Sequence, residues 1–273
     1  MGIGLSIAGL PRELDKEVAA LFFARCGPDH EPAYTVHRGP SGGVVHRVWS
    51  YKARRVLHLM STLEFHAWLE AEFLESVTDI REQYAIGFVE EFQSIARAFG
   101  FRPPHYNGRV KGPTADLLLT VERGPIRWLQ AVTCKYDIDF EKPRVEQLLT
   151  IEETFWDRRS VTFVRYTDKL RSIEKVQNYL WVLRFRNPQS LLRDDLKLRT
   201  RWLDELRDAL RQRPDDKIVD VCFDLDNRFR APRGSSLCVM RFAMAQGLLP
   251  VHWANPYSPA SQVRELFITE PIA

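Results

Sequence analysis

Long apolar runs are missing from this 273-residue chain. The nearest approach, LCVMRFAMAQGLLPV (Leu237–Val251), is short of membrane-spanning length and carries Arg241 and Gln246, so no membrane segment is expected. Cysteine is scarce: Cys26, Cys134, Cys222 and Cys238, with no C-x-x-C pair. That spacing argues against zinc and disulfide frameworks, and scattered thiols suit a reducing cytosol. The leading residues have no basic stretch before their first apolar ones, so no secretory signal is read and a soluble, cytoplasmic protein is expected. Nor does charge of one sign dominate. With 39 Lys and Arg against 36 Asp and Glu, contact with a polyanion has to come from local patches. Repeats and low-complexity segments are absent as well.

What is present is enough apolar content, 45%, for one large domain or two modest ones. Pro11–Cys26 has helical periodicity. Gly39–Gly43 reads as a flexible loop, and Val44–Ser61 as two short strands around a turn near Lys52 and Ala53. Leu63–Glu75 predicts an amphipathic helix. SVTDIREQYAI (Ser76–Ile86) predicts a strand with polar side chains at alternate positions. Phe88–Phe99 predicts a helix and Gly100–Pro113 a Pro/Gly-rich loop. Next come a strand over Ala115–Val121, a turn at ERGP, a strand over Arg127–Lys135, a helix over Arg144–Arg158 and a strand in SVTFVRYTD. That order predicts a mixed sheet with a right-handed helical crossover. From Leu170 the character shifts to charged helices, Leu170–Phe185 and Leu191–Gln212. A turn, a further helix and a short strand after Gly247 complete an order found in winged-helix modules.

Three residues invite chemistry. Glu64 lies in the first turn of a helix, Asp116 at the start of a strand, and Lys135 at the end of the neighbouring strand. Each has an ordinary explanation alone. STLE is a capping box in which Ser61 caps and Glu64 bonds back, and the other two suit solvated strand ends. Together they match what metal-assisted phosphodiester hydrolysis needs. Mg²⁺ takes one or two carboxylates, keeps waters and accepts phosphate oxygens. It acidifies a bound water, and a lysine stabilises the developing negative charge.

HRVWSYKARRVLHLMSTLEFHAWLEAEFLESVTDIREQY, TADLLLTVERGPIRWLQAVTCK and EETFWDRRSVTFVRYTD together resemble the TnsA family, the endonuclease subunit of heteromeric bacterial transposases related to the Tn7 group. The likeness runs from about Tyr34 to Asp168 and is looser in RGSSLCVMRFAMAQGLLPV. It implies an α/β fold: a restriction-endonuclease-like mixed sheet flanked by helices over residues 1–169, then a smaller helical, winged-helix-like domain over 170–273. It implies Mg²⁺-dependent cutting, with Mn²⁺ as a substitute, at the 5′ ends of a transposon. The implied partners are transposon-end DNA, a TnsB-like integrase-type recombinase acting on the 3′ ends, and a TnsC-like AAA+ ATPase. Glu64, Asp116 and Lys135 take the family's acid, metal-ligand and lysine positions. The backbone carbonyl of Cys134 takes that of a metal contact.

Thr133 departs from the pattern, since the family has Gln there. Its hydroxyl is a short, neutral donor. Strand alternation puts Thr133 and Lys135 on one face and Gln130, Val132 and Cys134 on the other, so Gln130 cannot replace it; Asp137 and Asp139 are possible substitutes if the chain turns back. The alternative function is a catalytically weak or silent subunit kept for assembly, and a stand-alone restriction-like nuclease is a third. Candidate DNA contacts are Arg47, Lys52, Arg54 and Arg55 in the first hairpin, and Arg228, Arg230 and Arg233 before a helix whose N-terminus could meet phosphate or an acidic partner.

Overall fold

Two long strands of predominantly apolar residues, joined by the two-residue turn Gly124-Pro125, form the centre of the first unit. They are β6 (Thr114–Arg123) and β7 (Ile126–Cys134). Gly124 has φ +58°, a conformation that disfavours side chains with a Cβ. The computed structural model describes residues 5, 7, 14, 16–37, 43–106, 109–110, 113–187 and 196–267. Its contacts divide the chain into Met1–Arg171 and Ser172–Ala273.

In the first unit, α1 (Lys16–Phe23) precedes a hairpin of β1 (His46–Ser50) and β2 (Arg55–Leu59). Then follow α2 (Thr62–Phe73), β3 (Val77–Ala85) and α3 (Val89–Ala98). A small hairpin, β4 (His105–Tyr106) and β5 (Arg109–Val110), lies within the expected Pro/Gly-rich loop. After β6 and β7 come α4 (Pro143–Asp157) and β8 (Thr162–Tyr166). The main sheet has the order β3-β6-β7-β8. The first two pairings are antiparallel and the last is parallel; α4 is the crossover that a parallel pair requires.

One sheet face packs on α3 and α4. Leu118, Leu129 and Ala131 join Phe92, Ile95, Ile151, Phe155 and Trp156 in a single buried cluster. Each large side chain there contributes about 1.5–3 kcal/mol of burial. The other face carries α2, as the register shows: Tyr166 pairs with Cys134, out of step with Ala131, and its hydroxyl donates to Glu70 of α2 at 2.6 Å.

Two expectations change. Rather than being amphipathic, α2 is buried nearly all round, Glu64, Glu70 and Glu72 included. In β3, Asp79, Arg81, Glu82 and Gln83 are all buried, on both faces. Partners inside the unit make this affordable. Asp79 accepts from the Gly27 amide and pairs with Arg81, Glu82 pairs with Arg55, and Gln83 bonds Glu64. The N-terminal helix is described only from Lys16, so part of the periodic stretch, like all of the Gly39–Gly43 loop except Gly43, lies outside the described residues.

The second unit holds α5 (Ile173–Val182), α6 (Leu196–Gln212), α7 (Ile218–Phe229), α8 (Ser235–Ala245) and a single turn, α9 (Val263–Leu266). Helix α5 starts three residues later than expected, where the Ser172 hydroxyl accepts from the Lys175 amide. The expected helix over Leu191–Gln212 is described from Leu196, the earlier residues lying outside the described ones. After Gly247 the described residues form isolated bridges, Val251 with Phe267 and Lys217 with Gln262, in place of a strand. Among the described residues no helix is long and apolar enough to cross a membrane.

Candidate active site

Glu64 is placed by the start of α2. The Ser61 hydroxyl accepts from the Glu64 amide at 3.1 Å and donates to Glu64 Oε1 at 3.0 Å. Glu64 Oε2 accepts from the Met60 amide at 2.8 Å and from Gln83 Nε2 at 2.9 Å. Capping and site geometry thus coincide in one side chain. Burial raises the Glu64 carboxyl to about 8, with the negative charge of Asp116 as the next cause.

Asp116 and Thr133 extend the rows of Leu118 and Ala131 toward the end of the sheet, on the face covered by α4. Asp116 Oδ2 accepts from the Cys134 amide at 2.6 Å and from the Thr133 hydroxyl at 3.3 Å. Thr133 therefore faces Asp116 and directs its proton there. Lys135 follows directly, held by its amide on the Tyr166 carbonyl at 3.1 Å. Its ammonium donates to the Cys134 carbonyl at 3.3 Å. The Asp116 charge, then those of Cys134, Glu152 and Glu64, hold Lys135 above its ordinary range against the opposing cost of burial.

Two further residues belong here that the sequence reading did not single out. Gln83 bonds Glu64, as above, and sits where the β3–β6 register brings it opposite Asp116. Glu152 on α4 is buried and accepts from Trp156 Nε1 at 3.4 Å. Burial, then the Asp116 charge, pushes its carboxyl up to about 8. Its trace in the sequence is a carboxylate three residues after Leu149 and four before Trp156, on the buried face of the helix. Asp137 and Asp139 are occupied elsewhere, by Lys169 and Lys142 respectively.

The candidate DNA contacts divide. Arg47 and Arg54 are exposed. Lys52 donates from its ammonium to the carbonyls of Ala71 and Leu74 at the end of α2, and Arg55 grips Glu82 through both terminal nitrogens. Arg228 pairs with Glu205, and Arg233 lies over the Phe223 ring. Arg230 is exposed and caps α7 in a left-handed conformation. The N-terminus of α8 is not open to phosphate. The buried Asp226 carboxylate accepts from the Gly234 and Ser236 amides at 2.6 and 2.7 Å, which satisfies the donors that an anion would use.

The family described as TnsA-like endonuclease N terminal matches residues 74–168. Transposon Tn7 transposition protein TnsA of Escherichia coli is 28% identical over 223 residues, spanning 82% of this chain and 79% of that protein. Over residues 74–168 the chain is TnsA-like. Its mixed sheet between helical layers is the restriction-endonuclease-like fold of that family, and the helical unit follows it. The TnsA-like match includes Asp116, Thr133, Cys134, Lys135 and Glu152, whereas Glu64 precedes it.

Proposed function

We propose that the chain is the DNA endonuclease subunit of a heteromeric transposase, hydrolysing phosphodiester bonds at the 5′ ends of a transposon with Mg²⁺ or Mn²⁺. The observation that carries this is the meeting of Glu64, Asp116 and Lys135, from α2, β6 and the end of β7, in one electrostatically coupled group. Among the described residues, no three His, Cys, Asp or Glu side chains form a ready-made metal cage. Mg²⁺ does not need one, since one or two carboxylates, water and substrate phosphate suffice. Glu64, Asp116 and the Cys134 carbonyl are hard oxygen donors of the right kind. The Glu64 carboxyl, raised by burial and then by the Asp116 charge, also suits a site that gains a cation.

A bound Mg²⁺ supplies Lewis acidity toward the phosphate and a more acidic water. Glu64 and Asp116 would hold it, with Thr133 and the Cys134 amide fixing the Asp116 carboxylate. Lys135 stays protonated and stabilises negative charge on the attacked phosphate. Partners of the kind named for the family, an integrase-type recombinase (TnsB-like) and an AAA+ ATPase (TnsC-like), complete the reaction. The second unit, as a winged-helix-like module, contacts them.

A second reading, a weak or silent subunit, has one observation in its favour: the Thr133 hydroxyl is turned to Asp116 and offers the metal no charge. Nicking of transposon-end DNA with Mg²⁺ or Mn²⁺ and the recombinase distinguishes the two. The unaltered chain is expected to cut, and Asp116→Asn and Lys135→Ala are expected not to. Absence of cutting by the unaltered chain under all these conditions gives the silent reading.

A further inference from the structure

No Asp or Glu occurs from Pro32 to Leu63, a stretch that holds Arg38, Arg47, Lys52, Arg54, Arg55 and three histidines. Most of the described part is the β1–β2 hairpin. Two acids reach it from inside. Glu72 takes the Ser50 hydroxyl and the Tyr51 and Lys52 amides, and Glu82 takes Arg55. The outer face has no such neutralisation. Trp49 lies across from Val56 and Arg47 across from His58, with Arg54 at the turn. Trp49 is 50% exposed and Val56 38%. Neither Arg47 nor Arg54 forms an ion pair with a described residue, and both are exposed.

The hairpin starts beside the candidate active site. His46 Nε2 lies 3.4 Å from the Thr62 hydroxyl, and the Met60 amide holds Glu64. From there each strand runs five residues to the turn. At about 3.3 Å per residue that is roughly 16 Å, the length of about five base pairs of duplex.

We propose that the outer face of this hairpin binds the backbone of duplex DNA flanking the scissile phosphate. Arg47 and Arg54 each meet a phosphate, and Trp49 packs on the sugars between them. This rests on the endonuclease reading and assigns its substrate a track on the protein. The contact carries no base sequence, since phosphates position and base edges specify. Lys52 and Arg55, though basic, are committed to holding the hairpin on α2 and β3.

The test is fluorescence anisotropy of a labelled duplex with the full chain, without divalent metal, over a KCl series. Arg47→Ala with Arg54→Ala is expected to weaken binding by about tenfold or more at low salt and to flatten the log–log salt slope by about 1.8, two phosphates' worth. Trp49→Ala is expected to weaken binding with the slope unchanged. Thermal melts of these outer-face variants stay unaltered, while Arg55→Ala lowers the melt and leaves the slope. Equal affinity and slope in the double variant overturn the proposal. So does the absence of salt-dependent binding by the unaltered chain, or a defect in the double variant that shows only in partner-protein binding. Salt-dependent binding that needs Arg47 and Arg54, in a chain that never cuts DNA, would sink the endonuclease reading while keeping the hairpin as a duplex-binding face.

Discussion

Thr133 touches the proposed metal ligand Asp116 without carrying charge itself. In place of a long amide, it brings a short hydroxyl 3.3 Å from Asp116 Oδ2. Its contribution is to orient the carboxylate, a neutral hydrogen bond's worth of about 1 kcal/mol. Thr133→Ala is therefore expected to slow nicking about tenfold or less, equivalent to about 1.4 kcal/mol, while Asp116→Asn leaves no measurable rate. Single-turnover nicking of the two variants compares them, and equal loss would make the hydroxyl itself an indispensable ligand. Glu64 and Glu152 set the pH response. Both keep their proton up to about pH 8 in the folded chain, whereas an unfolded glutamate loses it near about 4.3. Between those values these two groups make the folded state bind more protons than the unfolded, while His30 and His66, held down to about 4 by burial, act in the opposite sense below about 6.5, so metal-free stability falls as pH rises from about 6.5 to 8. A divalent cation binds the ionised forms, so its stabilising effect grows over the same window. Melting curves at several pH values with and without MgCl₂ check both slopes; a flat metal-free profile would contradict the placement of these carboxyls.

At the scale of elements, the buried glutamates of α2 act as fasteners. Glu72 is fully buried and receives the Ser50 hydroxyl at 2.6 Å and the Tyr51 amide at 3.1 Å. Glu72→Ala removes the carboxylate those donors bond and is expected to cost about 2–4 kcal/mol. Urea unfolding measures it, and hydrogen exchange should accelerate first at Tyr51 and Lys52. These fasteners are also where the sequence was hardest to read. The β6–β7 hairpin and α4 were legible because apolar spacing and a Gly-Pro turn announce them. Asp116, Thr133 and Lys135 stand out by their order and spacing on those strands and by the family resemblance, and strand alternation puts Thr133 and Lys135 on one face. By contrast, the charges of β3 and α2 look like a solvated face, and only tertiary partners such as Arg55 and the Gly27 amide make their burial tolerable. Glu152 was missed for the same reason: a carboxylate on an apolar helix face has meaning only when Asp116 is known to lie beneath it.

For the molecule as a whole, Met1–Arg171 and Ser172–Ala273 are separable bodies of contact. The second has a buried core of its own, with Leu206, Leu210, Val221, Leu225 and Met240 among its members, and enough residues to sustain one. Residues 172–273 expressed alone are expected to capture the proposed TnsC-like AAA+ ATPase in a pull-down, and residues 1–171 to keep a metal-dependent melt. Capture by the first piece only would reverse the assignment. The site in the first unit gathers groups from α2 on one face of the sheet, α4 on the other, and strands between. Lys135 is pinned in turn by the carbonyl of Tyr166. A chain emerging from the ribosome carries Glu64 long before Glu152 and β8 exist. Until synthesis passes Tyr166 and both layers close, the proposed site is not assembled, so a half-made copy holds the first of its acids without the frame that gathers the rest.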